Sequence, residues 1–452
     1  MRAPRSFYLG PSGLLLVSFG GLIFLGSGLL YLPVMQGAAP VSYLDCLFTS
    51  TSAVCVTGLI TVDTATAWSG WGQGLILLLL QLGGLGIMTF SVAMMYLAGR
   101  DPGLVGSLAV RGSLGRVPAR EIGRFAGGIV IYTLVLEGLG ALVLFLRFVA
   151  DYSPLRALAL GVFHSVSAFC NAGFSLFSRS LEAYPHDPVI NLTVISLITL
   201  GGLGFLVLKE LADRLATPRG QRRRRLSLHS RLVFTTSGIL LVGGAALIWL
   251  LEYLEGGGAG NDFWPSLFNS VTARTAGFNT IPLGDLANAS LLVIMFLMFV
   301  GASPGSTGGG VKTTALATLY AVVRGRLRGL PGAAVQGRSI GEKQVGEALT
   351  LVMTSMLVVM LAILLLVIFE EGSVAAGHRR GHVFTLAFEA VSAFGTVGLS
   401  MGATPTLSPV GKIIIMCLMF LGRLGPLTFI YALVKRARTP RLTPAQERIM
   451  LG

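Results

Sequence analysis

Four stretches of this chain end in the same small set of residue types: Val56-Thr57-Gly58, Asn171-Ala172-Gly173, Thr275-Ala276-Gly277 and Thr396-Val397-Gly398, each followed by Leu or Phe. Such a set offers no nucleophile–base pair. It offers oxygen: backbone carbonyls and short polar side chains that, converging from several segments, can replace the water around a cation. Glycine suits the turn because it takes positive φ without steric cost. Thr57, Asn171, Thr275 and Thr396 are expected to bring further polar groups to one level. No catalytic constellation competes with this reading, since His164, His186 and His229 lie in loops or at loop edges without metal-ligand spacing.

The chain around each cluster repeats as well. Leu47–Leu59, Phe163–Phe174, Leu267–Phe278 and Phe388–Leu399 each open with a half-apolar stretch of about ten residues, where a spanning helix needs ~20. The third copy is one residue shorter between its Val-Thr and its glycine. An apolar helix is predicted before each (13–32, 125–149, 232–254, 349–369) and after each (74–98, 189–211, 291–323, 411–434). The following helices share a second landmark: Gly83-Gly84-Leu85-Gly86, Gly201-Gly202-Leu203-Gly204, Gly301-Ala302-Ser303-Pro304-Gly305 and Gly422-Arg423-Leu424-Gly425. It starts 25, 28, 24 and 24 residues past the loop glycine. One such glycine group would pass as helix packing; two landmarks matched in four copies point to duplication.

The expected fold is an all-α membrane protein of four tandem helix–pore loop–helix repeats around a pseudo-fourfold central pore. The repeats are placed at 1–100, 101–215, 216–330 and 331–452. Short inward helices would aim their negative C-terminal dipoles at the axis, which favours a cation.

Composition agrees. Of 452 residues, 53% are hydrophobic and 12% charged, against about 25% charged in soluble domains. Residues 14–32 are long enough to span, and no small-residue cleavage signal closes them, so they are a first helix rather than a signal peptide. The net charge of +14 is not a nucleic-acid face. Of 34 basic residues, 25 fall in Arg2/Arg5, Arg100–Arg124, Lys209–Arg231, Arg324–Lys343 and Lys435–Arg448, while 33–73 holds none. That asymmetry places both termini and three loops in the cytoplasm beside anionic membrane lipid. The four cysteines show no pairing or metal motif and act as small apolar residues.

Between residues 301 and 312 the third following helix is interrupted by Gly301-Ala302-Ser303-Pro304-Gly305-Ser306-Thr307-Gly308-Gly309-Gly310. Five glycines and a proline cannot sustain a helix cheaply. Below the filter, Gly305, Ser306, Thr307, Gly308, Gly309, Gly310 and Lys312 could form a flap across the path; a structural kink is the alternative. Gly305…Gly310-Val311-Lys312-Thr313 approaches the phosphate-loop pattern, but Val311 separates glycine from lysine and no strand precedes it, so an ATPase is excluded. Lys312 is then a tether at the inner end or the partner of an acid. Arg423 stands where other copies carry Gly84, Gly202 and Ala302. An arginine inside a spanning helix keeps its charge and faces a cavity or a partner, so Arg423 is either an electrostatic barrier or one half of an ion pair. Asp45 and Glu389 are placed at the starts of the first and fourth pore helices, as caps or cation attractors. Arg274 is expected to point away from the axis, toward an acid or carbonyls.

Gly58, Gly173, Gly277 and Gly398 with their flanks, including Ala53-Val54-Cys55-Val56-Thr57-Gly58-Leu59 and Thr275-Ala276-Gly277-Phe278-Asn279-Thr280, resemble the four filters of the Ktr/Trk/HKT superfamily of potassium transporters. The likeness covers roughly 13–435 and is nearest the Ktr-type membrane subunit, since no two additional helices precede the first repeat. It implies potassium as the transported ion, bound only at the filter, with sodium as an activator. It also implies a homodimer in the cell inner membrane and a cytosolic nucleotide-binding regulatory ring of the KtrA/TrkA kind. In this superfamily the 301–312 element is the gating loop, a matching arginine is typical of the fourth repeat, and glycine rather than serine at the place of Gly58 goes with potassium. The competing readings are a sodium-permeable transporter of similar architecture, a carrier of another solute built on inverted repeats, and a membrane enzyme. All four copies here run in one direction.

Overall fold

The computed structural model describes residues 11–97, 119–216, 226–256, 262–329, 334–335, 338–370 and 379–426. The expected basic tail at Lys435–Arg448 and the arginines at 222–225 lie outside the described residues. Long helices α1 (Pro11–Leu30), α4 (Ala119–Phe148), α8 (Leu228–Leu254) and α12 (Glu342–Glu370) alternate with shorter ones. In α4, α8 and α12 the apolar stretch is long enough to cross a bilayer. Each long helix is followed by a short one: α2 (Tyr43–Val54), α5 (Pro154–Phe169), α9 (Phe263–Thr272) and α13 (Arg379–Gly395). Helices α3 (Gly70–Leu97), α6 (Pro188–Leu203), α10 (Asn288–Phe299) and α14 (Pro409–Leu424) come next in turn. Proline opens α5, α6 and α14, where its missing N–H costs nothing. Apart from a hairpin pairing Ala334–Val335 with Arg338–Ser339, the described structure is helical.

Two recurring contacts seat the short helices. Ser50 donates to the Ile23 carbonyl at 2.7 Å, Ser165 to that of Glu137 at 2.6 Å and Ser270 to that of Leu241 at 2.8 Å. Gly26, Gly140 and Gly244, one turn along the same long helices, leave the room these serines and Leu79, Leu197 and Leu297 occupy. In the fourth copy the apolar Ala390 is buried instead. On the other side, Gly83, Gly201 and Gly422 lie against the last-turn carbonyls of Val54, Phe169 and Phe394. The glycine landmarks therefore exist because backbone meets backbone there.

The following helices differ. The predicted single helix over 189–211 is broken: Gly204 has φ 90°, and α7 (Phe205–Ala216) leaves α6 at 104°. The break is sustained from outside the helix, because Phe205 N–H donates to the Gly305 carbonyl at 3.1 Å. Helix α10 stops at Phe299, and α11 (Thr313–Leu327) resumes after the predicted interruption. Helix α14 ends at Leu424, before Gly425 with φ 82°; the rest of the helix expected to 434 lies outside the described residues from 427 onward.

The starts of α6, α10 and α14 are held by acids. Asp187 accepts from the N–H groups of Val189 and Ile190, each at 3.0 Å, and pairs with Arg147 Nε at 2.6 Å. Burial alone would raise its carboxyl; the Ile190 N–H and Arg147 outweigh burial and hold it below the usual range. Glu252 accepts from Ala287 N–H at 3.0 Å, and Glu370 accepts from the Ser408 hydroxyl at 2.6 Å, at the starts of α10 and α14.

A side chain at Gly201 would drive a Cβ into the Phe169 carbonyl, whereas one at Gly20 meets nothing. Gly201→Ala should lower thermal stability by roughly 1–3 kcal/mol, and Gly20→Ala should leave it unchanged or raise it by up to about 1 kcal/mol. Thermal unfolding of the two purified variants decides this; equal melting temperatures would contradict the packing described.

Candidate functional site

The four short helices end beside one another, and the chain turns back from each through a left-handed residue. Val56, Asn171, Thr275 and Thr396 have φ of 53°, 60°, 71° and 49°; two residues on, Gly58, Gly173, Gly277 and Gly398 have φ of 93°, 69°, 78° and 93°. Side chains other than glycine rarely accept such values, so four consecutive alternations are a built conformation. Alternating the sign of φ turns successive carbonyls to one side, where a regular strand sends them to both.

Where those sides meet follows from what a Cβ on each glycine would strike. At Gly58 it meets the Ala172 carbonyl; at Gly173 the Ala276 carbonyl at 2.7 Å; at Gly277 the Val397 carbonyl; at Gly398 the Thr57 carbonyl. The contacts close into a ring through the four clusters in chain order. Every filter residue predicted from the sequence lies in or beside this ring, all buried except Gly173 and Gly398, which are half-buried. One assignment shifts: the counterpart of Asn171, Thr275 and Thr396 is Val56, not Thr57, because Val56 is the left-handed residue. The first copy therefore has an apolar side chain at that level. Asn171 and Thr275 meet at 3.2 Å, with the asparagine nitrogen directed to the Ala168 and Ile198 carbonyls.

Hydroxyls of the short helices hold the returning strands. Ser52 accepts from Gly58 N–H at 3.0 Å and Ser392 from Gly398 N–H at 3.2 Å, while Ser167 donates to the Phe174 carbonyl at 2.8 Å and Thr272 to that of Phe278 at 2.6 Å. The missing residue of the third copy is visible. Thr57, Ala172 and Val397 N–H groups reach five residues back, to Ser52, Ser167 and Ser392, but Ala276 reaches only four, to Thr272.

Three charged residues differ from expectation. Glu389 does not start α13 but lies in its last turns, fully buried, accepting from Ser400 Oγ (2.6 Å), Thr404 Oγ1 (2.6 Å), Met401 N–H (3.0 Å) and Ala403 N–H (3.3 Å). It does not cap the helix; it clamps the strand leaving the fourth cluster. His164 does the same for the second, with Nε2 2.9 Å from Ser175 Oγ. Asp45 lies in the first turn of α2 but the cap is Ser42; one Asp45 oxygen accepts from the Ser42 hydroxyl at 2.6 Å and the other pairs with Lys412 at 2.7 Å, joining α2 to α14. Arg274 points away from the ring, as expected, yet its partner is the Ser237 hydroxyl at 3.1 Å rather than an acid or carbonyl.

Beneath the ring runs the 300–312 segment. Val311 pairs with Val300, with Val311 N–H donating to the Phe299 carbonyl at 3.2 Å. Between them Ser303 and Thr307 N–H groups reach the Gly202 and Gly201 carbonyls at 3.1 and 3.3 Å, and Gly309 N–H reaches Thr396 Oγ1 at 3.1 Å. Gly308 lies against Thr275, so the segment touches two ring copies directly. Lys312 Nζ folds back to the Gly308 carbonyl at 2.7 Å, a tether with no acid partner among the described residues. Arg423, buried, donates to the carbonyls of Thr307 and of Gly83, the latter at 2.8 Å. Among the described residues it forms no ion pair; it bolts the segment to α3. Gly305 has φ 73° and faces open space, while Ser306 donates to the Ser303 carbonyl at 2.6 Å.

Sequence reasoning passed over Glu137, buried in α4, and Gln81, whose Nε2 lies 3.0 Å from it. A lone glutamate within an apolar run was the available signal.

The family model for TrkH, described as a cation transport protein, matches residues 23–442. The chain is 36% identical over 432 residues to the Ktr system potassium uptake protein B of Bacillus subtilis, covering 94% of this chain and 93% of that protein. It is 34% identical to the potassium/sodium uptake protein NtpJ of Enterococcus hirae, with 98% of each covered. Among solved structures, the potassium transporter TrkH from Vibrio parahaemolyticus superposes with a TM-score of 0.72 at 20% identity, over 96% of this chain and 87% of that one, a likeness of fold.

Glu389→Ala removes the acceptor of four donors, each costing about 1–3 kcal/mol when left buried and unpaired. It should lower thermal stability by at least about 3 kcal/mol, with Glu389→Gln falling between. Unfolding curves matching the unaltered chain would refute the clamp.

Proposed function

From membership of the TrkH cation transport protein family, to which this chain belongs, we propose that it takes up potassium ions through the ring of four clusters, the axis of a pseudo-fourfold pore made by four tandem repeats at 1–100, 101–215, 216–330 and 331–452. The observation that carries the reading is the closed circuit Gly58–Gly173–Gly277–Gly398, each glycine lying on the carbonyl of the next copy. Those carbonyls, with Val56, Asn171, Thr275 and Thr396 below them, would exchange for the ion's hydration shell. The C-terminal ends of α2, α5, α9 and α13 supply a negative potential at the same point.

In this reading the 301–312 segment is the gate. It lies under two copies of the ring and is held by hydrogen bonds that can be exchanged for water, and Arg423 both latches it and repels cations below the filter. The absence of an acid beside Arg423 among the described residues favours a barrier over an ion pair. A helix kink alone would not account for the bonds from Gly309 and Thr307 to neighbouring copies. The proposal extends, on kinship with the Ktr-type proteins, to the inner membrane with cytoplasmic termini, sodium activation, a homodimer and a cytosolic nucleotide-binding ring. A second reading, in which sodium also permeates, is supported by the potassium/sodium uptake protein among the relatives and by the short filter of one glycine per copy.

Purified protein in liposomes should take up rubidium or potassium down a gradient; no flux would defeat the assignment. Gly58→Ser puts a Cβ against the Ala172 carbonyl at φ 93°, and should reduce potassium over sodium preference by roughly tenfold, about 1.4 kcal/mol of discrimination. Removing Gly308–Gly310, or Arg423→Ala, should raise flux several-fold in the same assay; unchanged flux in folded variants would leave the segment a purely structural element.

A further inference from the structure

The serine contacts that seat the short helices set Ile23, Glu137 and Leu241 in register on α1, α4 and α8. The contacts of Gly83 and Gly201 with Val54 and Phe169 do the same for α3 and α6. Two steps before those glycines stand Gln81 and Thr199; four before Glu137 and Leu241 stand Thr133 and Ser237. Two neighbouring seams can therefore be compared residue by residue. In the seam between α6, α8 and α9, a small cavity is lined by Thr199, Ser237, Leu241 and Arg274. The Arg274 guanidinium borders it and donates to the Ser237 hydroxyl at 3.1 Å. Its positive charge lies at the end of α9, where a helix terminus is negative.

The seam between α3, α4 and α5 has the same end-of-helix position, occupied by Cys170, but no basic side chain. In place of Leu241 it has Glu137, 4% exposed. Its Oε2 receives Gln81 Nε2 at 3.0 Å, and its Oε1 lies 3.7 Å from Cys170 Sγ, which is itself 3.6 Å from Gln81 Oε1. Thr133 Oγ1, the counterpart of the hydroxyl that meets the guanidinium, is buried with no hydrogen-bond partner. No Lys, Arg or His pairs with Glu137 among the described residues.

We propose that a small monovalent cation of the sodium class binds in this second seam, off the transport axis, where the neighbouring seam carries its own guanidinium. Glu137 Oε1, Gln81 Oε1 after rotation of its amide, and Thr133 Oγ1 are the hard oxygen donors such an ion takes. A proton on Glu137 would cancel the charge yet leave Thr133 without a partner; an ion satisfies both. Cys170 directly precedes the left-handed Asn171, so occupancy of the site bears on the second filter strand.

The test reads binding apart from transport. With potassium fixed and ionic strength held by N-methylglucamine chloride, sodium chloride should raise the melting temperature of the purified full chain saturably, by about 2 °C. In Glu137→Gln the rise should be absent, and in Thr133→Val it should need several-fold more sodium. Thallium(I) in the unaltered protein should give an anomalous peak between α3 and α4, off the axis, which keeps the test valid if the variants do not fold. A sodium response no larger than that to N-methylglucamine, an equal response in Glu137→Gln, or no off-axis thallium peak overturns the site. So does a melting temperature that depends on pH through Glu137 and not on sodium, which identifies a proton alone.

Discussion

Irregular backbone cannot face hydrocarbon, because each unpaired N–H or C=O there costs several kcal/mol. Everything at the centre of this molecule answers that constraint. Four strands leave the ends of α2, α5, α9 and α13 with φ alternating in sign, and no strand could satisfy its own groups. Their N–H groups are taken by the short helices behind them, through Ser52, Ser392 and last-turn carbonyls. Their carbonyls are left for one another and for whatever occupies the axis. In the proposed function, the geometry that makes a strand unable to exist alone is what would make a set of them a place for a dehydrated cation.

The same logic governs the segment beneath. Residues 300–312 carry free N–H and C=O groups at membrane depth, and they are met by Gly201, Gly202, Thr396, Lys312 and Arg423. A guanidinium has five donors in a fixed fork, so Arg423 can hold Thr307 and Gly83 together across two parts of the chain. Carbonyl partners release an arginine more readily than a buried carboxylate would, since breaking a buried ion pair strands two charges. A latch made of such bonds can open, as the proposed gating role of the segment requires.

Departures from symmetry carry as much information as the symmetry. Helices α2 and α14 close on each other through Asp45 and Lys412. Glu389 and His164 anchor the strands of copies four and two, while Arg274 and Glu137 put a guanidinium and a carboxyl group at neighbouring seams. The proposed four-repeat arrangement would permit this, because one polar group can be specialised in one copy while the others maintain the ring.

The amino-acid order alone determined the helical class, the four glycine clusters, the interruption at 301–312 and the unusual placement of Arg423. Each is a local property: apolar length, loss of Cβ, loss of N–H, or a charge within an apolar run. Contact between distant parts was decided only in three dimensions. Counting from apparent helix starts put Glu389 at a terminus, whereas α13 begins ten residues earlier and buries it under the strand leaving the fourth cluster. Matching polar side chain to polar side chain aligned Thr57 with Asn171, whereas backbone handedness aligns Val56. The bend at Gly204 was hidden because nothing in 189–211 demands it; the carbonyl that supports it belongs to Gly305, a hundred residues away in sequence. Hydropathy and glycine spacing record what a segment needs from its surroundings, and the packed structure alone specifies which partner supplies it.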